Sequence, residues 1–257
     1  MRTPAFVVAL VLLLYGPAAA QEWDLYTNIP DGFKINFPGQ PKITETTWVS
    51  QLDYKLPARV YSAERGNERY SVTVVDYSGI EQMGIERVKN CPPGNANCRN
   101  AGVVLGPGYA RHDERGALVF ATEKLLMRDA KLTELAWDWQ DMVEGHFIQL
   151  TNNPDQSRTH AYVAMHQRKL YIIEGTVPKG YPEPGLFQQS LGWVDKDGNG
   201  IRYQNMVYSN AYHGMGVYPT PPYPGAGRGA GAGAGPAGGG APAPAGGNAP
   251  AGGTAPR

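Results

Sequence analysis

Residues 131–177 read KLTELAWDWQDMVEGHFIQLTNNPDQSRTHAYVAMHQRKLYIIEGTV, and this stretch decides the fold. Apolar and polar residues alternate over Leu132–Trp139, Gly145–Thr151, Arg158–His166 and Leu170–Val177, the period of two that half-buried strands show. Asn152-Asn153-Pro154-Asp155 turns the chain between the second and third segments, and Arg168-Lys169 between the third and fourth. Such short connections join antiparallel neighbours, because a parallel pair needs a crossover of roughly a dozen residues or more. The segments predict an antiparallel meander.

Working outward, Phe33-Lys34-Ile35-Asn36-Phe37 alternates between the breakers Asp31-Gly32 and Pro38-Gly39. Ala58–Ala63 and Tyr70–Tyr77 are rich in Val, Tyr and Thr and flank Gly66-Asn67, a hairpin signal. Ser78–Asn90 carries Ile80, Met83, Ile85 and Val88 at near-helical spacing. Further helices are expected over Ala117–Arg128 and Leu186–Trp193. Strands and helices segregated in this way predict an α+β domain, an antiparallel sheet covered by helices.

The two ends of the chain differ from this middle. Met1–Ala20 holds one basic residue, Arg2, then an apolar run from Ala5 to Tyr15, the breaker Gly16-Pro17 and Ala18-Ala19-Ala20. That is the three-part pattern of a secretory signal peptide, with cleavage expected after Ala20. The run is far shorter than the roughly 20 apolar residues of a membrane span, and no later stretch is long and apolar enough to span. From residue 218 onward the composition collapses to Gly, Ala and Pro, with too little to bury to offset its ordering entropy, so a disordered tail over 218–257 is expected. Between them, residues 21–217 are long enough for one domain with its own core. The export signal predicts a periplasmic or secreted protein.

Charge excludes one class of partner. The chain carries 23 basic and 23 acidic residues, and Arg2 is the only charge within residues 1–20. A balanced chain without cationic clusters has no footprint for nucleic acid.

Cys91 and Cys98, the chain's two cysteines, enclose Pro92-Pro93-Gly94-Asn95-Ala96-Asn97. In an oxidising compartment such a pair reads as a disulfide; a redox pair is usually Cys-x-x-Cys, and a zinc site needs more ligands. Asp195-Lys196-Asp197-Gly198-Asn199-Gly200 begins like a calcium loop, with oxygens on Asp195, Asp197 and Asn199. The match fails at position 12, where Met206 replaces the bidentate carboxylate, and a tight exposed turn explains the same residues. His160 and His166 share a strand face about 20 Å apart, too far for one metal. His146, on the neighbouring strand, is expected diagonally close to His160 across the Asn152–Asp155 turn. Trp137 and Trp139 alternate on one strand face; buried they are core, and exposed they offer a contact surface for protein or carbohydrate. Trp137, Trp139, His146 and His160 are therefore the candidate binding surface, with core the favoured reading of the two tryptophans. Tyr203, Tyr208, Tyr212 and Tyr218 crowd the end of the folded part. No linear catalytic or phosphate-binding signature occurs, carboxylate pairs such as Asp138/Asp141 and Asp141/Glu144 stand unsupported, and no cofactor is indicated.

The run Asp31-Gly32-Phe33-Lys34-Ile35-Asn36-Phe37-Pro38-Gly39-Gln40-Pro41 resembles the opening strand of many small bacterial envelope proteins of the PsbP-like superfamily. Arg168–Ile173 as the last hairpin and Leu186–Leu191 as the closing helix fit the same pattern. The resemblance implies an α-β-α sandwich and a binding or assembly module. It implies no catalytic residues and is an analogy of fold. Two functions are in play: a non-catalytic exported module that binds a protein or envelope component, and a secreted hydrolase without a linear signature. Calcium-dependent stability through Asp195–Gly200 is a third.

Overall fold

Alternation becomes pairing in the computed structural model, which describes residues 23–90 and 107–208. Residues 1–20, Cys91, Cys98, Tyr212, His213 and the 218–257 segment lie outside the described residues. Ten strands and three helices follow in order: β1 (Trp23–Asn28), β2 (Phe33–Pro38), β3 (Lys42–Val49), β4 (Lys55–Arg65), β5 (Glu68–Asp76), α1 (Ile80–Lys89) and α2 (Pro107–Leu126). Then come β6 (Ala130–Gln140), β7 (Val143–Asn152), β8 (Arg158–His166), β9 (Lys169–Val177), α3 (Gly185–Gln188) and β10 (Gly192–Trp193).

Seven strands form one antiparallel sheet in the order β3-β4-β5-β9-β8-β7-β6. Strands β6 to β9 are the expected meander. Two of its hairpins close with two-residue turns, Asp141-Met142 and Gln167-Arg168, all four residues at positive φ. That mirror-image turn matches the right-handed twist of the strands but normally favours Asn-Gly. The second turn sits one residue earlier than the sequence suggested. Gly145 lets the sheet close tightly: a Cβ there would lie 2.6 Å from the Tyr162 ring and 2.3 Å from the Val163 carbonyl oxygen.

Helices cover one face. α2 lies over β7, β8 and β9, and α1 packs beside it; Leu118, Leu125, Ile148, Leu150, Val163 and Ile172 form the core between them. α2 starts ten residues before the expected Ala117, because its first half buries the charged Asp113 and Glu114 and so lacks an apolar rhythm.

The other face is covered by a second sheet together with α3, which packs against β2 and β9 through Phe187. β1, β2 and β10 make three strands in the order β1-β2-β10, and Phe33, Ile35, Phe37, Tyr61, Tyr171 and Trp193 fill the space between the sheets. The helix expected over Leu186–Trp193 stops after one turn. Ser190 takes the Asn36 N–H on its hydroxyl oxygen at 2.8 Å, and Gly192-Trp193 then pair with β2. Among the described residues no helix is long and apolar enough to cross a membrane. The fold is α+β.

Candidate functional site

β6 ends the seven-stranded sheet, so among the described residues its outer backbone edge faces no strand. Trp137 and Trp139 lie on the helix-covered face of the sheet, cross-strand from His146 and Glu144, but beyond the footprint of α2. They are therefore 49% and 46% exposed. The favoured reading of them as core is corrected: the pattern was that of a half-buried strand, and the half that faces a helix elsewhere faces outward here. Their rings pack together with centroids 5.1 Å apart. Trp137 Nε1–H donates to Glu144 Oε1 at 2.8 Å, so a buried carboxylate fixes one indole. Leu135, also on this face, is exposed beside them.

His146 joins this surface from below. Its Nδ1 lies 2.8 Å from Thr122 Oγ1, and Thr122 gives its single hydroxyl hydrogen to the Leu118 carbonyl at 2.9 Å. His146 is then the donor, which assigns the proton to Nδ1. Burial lowers its pKa, with Glu144 acting weakly against that.

His160 does not belong to the set. The β7–β8 register pairs it with Gln149 and pairs His146 with Val163. An offset of three residues puts the two imidazoles on opposite faces of the sheet. His160 is fully buried against Phe147, with ring centroids 6.3 Å apart, so its expected place near His146 and on the surface is corrected.

His166 shares the face of His160 and is also buried. Its ring stacks on Trp193 at 4.2 Å, and its Nε2 meets the Tyr203 hydroxyl at 2.5 Å. Burial first, then the nearby Lys169 charge, hold its pKa down to about 3. The folded value lies below the unfolded one, near 6.5, so the unfolded chain binds a proton that the folded chain refuses. Stability is unaffected by this group above pH ~6.5 and falls by up to ~1.4 kcal/mol per pH unit between that value and about 3. Urea titrations of the His166→Phe variant should show a flatter loss of stability between pH 6 and pH 4. An unchanged slope would show that His166 is not the group responsible.

The Asp195–Gly200 segment is a closed turn. Asp195 Oδ1 accepts the N–H groups of Asp197 and Asn199, each at 2.9 Å, and Lys196 pairs with Asp197. Gly198 supplies the positive φ that the bend requires. Among the described residues no group of three or more His, Cys, Asp or Glu side chains is placed to hold a metal.

Sequence reasoning missed two buried charged groups that organise the molecule. Asp31, read only as a turn residue, accepts Arg59 Nε–H at 2.7 Å, a second guanidinium N–H and the Tyr61 hydroxyl, with Lys169 at 3.4 Å. Burial pushes its pKa up, but the hydrogen bonds from Arg59 and Tyr61 outweigh that and hold it low. Glu114 takes two hydrogen bonds from the Arg168 guanidinium, at 3.1 and 3.0 Å. Burial raises its pKa against the pull of Arg168.

No protein-family model matches the chain, and no curated protein does. Among solved structures the chain is similar to cyanobacterial PsbP (CyanoP) from Synechocystis sp. PCC 6803, solved in solution. Identity is 13%, with 70% of this chain and 96% of that one covered, at a TM-score of 0.38. A likeness this distant carries nothing about ligand or activity, and the α+β assignment rests on the strand pairings.

Proposed function

We propose that this chain is an exported, non-catalytic binding or assembly module that docks a partner protein along β6. One observation carries the reading: two indoles stand half exposed, side by side, on a strand whose outer edge is unpaired among the described residues. An open edge offers a row of N–H and C=O groups to an extended segment of another chain. Exposed tryptophans supply the anchors that dominate protein interfaces, since they bury large area at little entropy cost. Export to the periplasm or medium is supported by the Met1–Ala20 pattern, and the balanced charge speaks against nucleic acid. In that setting Cys91 and Cys98 form a disulfide, residues 21–217 are the working domain and 218–257 a solvated tail.

The test compares capture from envelope extract by the wild-type chain, the Trp137→Ser/Trp139→Ser variant and a Leu25→Ser control on exposed β1. A specific partner should be retained by wild type and control and weakened at least tenfold by the double variant, on the scale of interface hot spots. Equal retention by all three would move the contact surface elsewhere.

A further inference from the structure

α2 ends at Leu126, short of the end of the sheet it covers, and two rungs of the same sheet face continue beyond it. The inner rung sets Ser62, Ser71, Glu174 and Ala161 side by side across β4, β5, β9 and β8. The outer rung sets Glu64, Arg69, Thr176 and Thr159 side by side. One rung further in, the same strands carry Val60, Thr73, Ile172 and Val163, and the apolar core begins. The strands are continuous, but the chemistry of this face changes from apolar to hydroxyl-rich where the helix stops.

The two rungs, apart from Ala161, floor a cleft of about 490 Å³, walled by Arg128-Asp129 after α2 and by the turn between β7 and β8. A second hollow of about 420 Å³ adjoins it, shares Glu64, Arg69, Asp155, Ser157 and Thr176, and reaches Lys179. Sites for small ligands occupy roughly 300–1,000 Å³. Part of the floor is fixed by its own hydrogen bonds. Asn152 Nδ2 donates to Ser157 Oγ at 2.9 Å and to Thr159 Oγ1 at 3.0 Å, and the Thr159 and Thr176 hydroxyls meet at 2.9 Å. Another part is available. Among the described residues the Ser62 and Ser71 hydroxyls make no side-chain hydrogen bond, and the Arg69 guanidinium has no hydrogen bond or ion pair, acting on Asp155 by charge alone.

Charge and polarity narrow the ligand. Four carboxylates, Glu64, Asp129, Asp155 and Glu174, stand against Arg69, Arg128 and Lys179, with Arg128 already held by Glu174. The site is close to neutral, which disfavours phosphates and free cations alike. Its lining mixes donors with acceptors, and Ala63 and Pro154 are its only members without a polar side chain. Planar guanidinium, carboxylate and amide groups bind adjacent hydroxyls two at a time, and paired serine and threonine hydroxyls both give and accept. We propose that this cleft binds an uncharged saccharide, held by Arg69 and the Ser62–Ser71 and Thr159–Thr176 hydroxyl pairs. The site lies apart from β6 and does not depend on the docking reading.

The test is a two-dimensional amide NMR titration of the full chain with maltotriose, cellotriose and triacetylchitotriose, and with trigalacturonate as the charged comparison. At least one neutral trisaccharide should shift the amides of Ser71, Thr159 and Thr176 with saturable affinity. The Arg69→Ala variant, altered at an exposed position, should weaken that binding about tenfold, the scale of one charge-assisted hydrogen bond. Thr176→Val serves as a second variant and should weaken it too. The proposal is overturned if none of the neutral sugars shifts these amides, if trigalacturonate binds more tightly than all three, or if both variants bind as wild type does.

Discussion

Replacing Asp31 with Ala should cost the fold about 2–4 kcal/mol, since a hydrogen-bonded charge network loses its buried member while Arg59, 37% exposed, can turn to water. The carboxylate sits where three elements converge: the β1–β2 turn that carries it, β4 through Arg59 and Tyr61, and β9 through Lys169. The Tyr171 hydroxyl also donates to the Asp31 carbonyl. Without the carboxylate, Tyr61 keeps a buried hydroxyl with no acceptor, and the turn joining the small sheet to the large one loses its tie. Asp31→Asn should lose less, because the amide oxygen still accepts a hydrogen bond while the charge is gone. Asp31 is held below the ordinary carboxylate value. Its contribution is therefore present above pH ~4 and disappears as pH falls through the lower folded value. Urea unfolding at pH 7 measures the loss, and a change under 1 kcal/mol would mean that Asp31 is not the tie described.

Arg168→Met should cost about 3 kcal/mol at pH 7, on the same reasoning. Glu114 is buried on α2, and the Arg168 fork, which also reaches Glu81 on α1 at 3.4 Å, is the charged partner that opposes the upward push of burial on its pKa. For a domain of this size each kcal/mol lowers the melting temperature by roughly 2–4 °C, so the variant should melt several degrees lower. The double variant Arg168→Met/Glu114→Leu should recover most of the loss, because a buried pair replaced whole is often near neutral. A double variant no more stable than the single one would show that Arg168 acts otherwise. The ion pair also explains a local oddity. Arg168 occupies a positive-φ turn position that favours glycine, and its reach to two helices outweighs a backbone cost of roughly 1–3 kcal/mol.

How much of this was legible follows from which forces leave a trace in a single sequence. The β6–β9 meander and the β4–β5 hairpin were readable because each buries alternate residues and turns on short polar connections. β3 was not, since Lys42–Val49 lies at the sheet's other edge, is exposed along nearly its whole length and shows no alternation despite its Ile, Thr and Val content. The first half of α2 was hidden by Asp113 and Glu114, whose burial depends on Ser50 and Arg168, 63 and 54 residues away along the chain. The separation of His146 from His160 rests on a register that the β7–β8 connection sets, and one residue of slip would have put both on the same face. The polar cleft left a faint signal in Ser62/Glu64, Arg69/Ser71 and Glu174/Thr176, polar pairs two apart on one face. Their adjacency exists only once β4, β5 and β9 are paired.

The claim that β6 is the contact surface is tested most directly by amide hydrogen exchange of Leu135–Trp139, with and without the partner retained in the capture experiment. Among the described residues the outward N–H groups of this strand have no neighbouring strand to bond, and the Trp139 N–H meets only the Asp138 side chain, so they should exchange readily in the free chain and become protected at least tenfold in the complex. Protection that appears elsewhere while Leu135–Trp139 exchanges at its free rate would contradict the account.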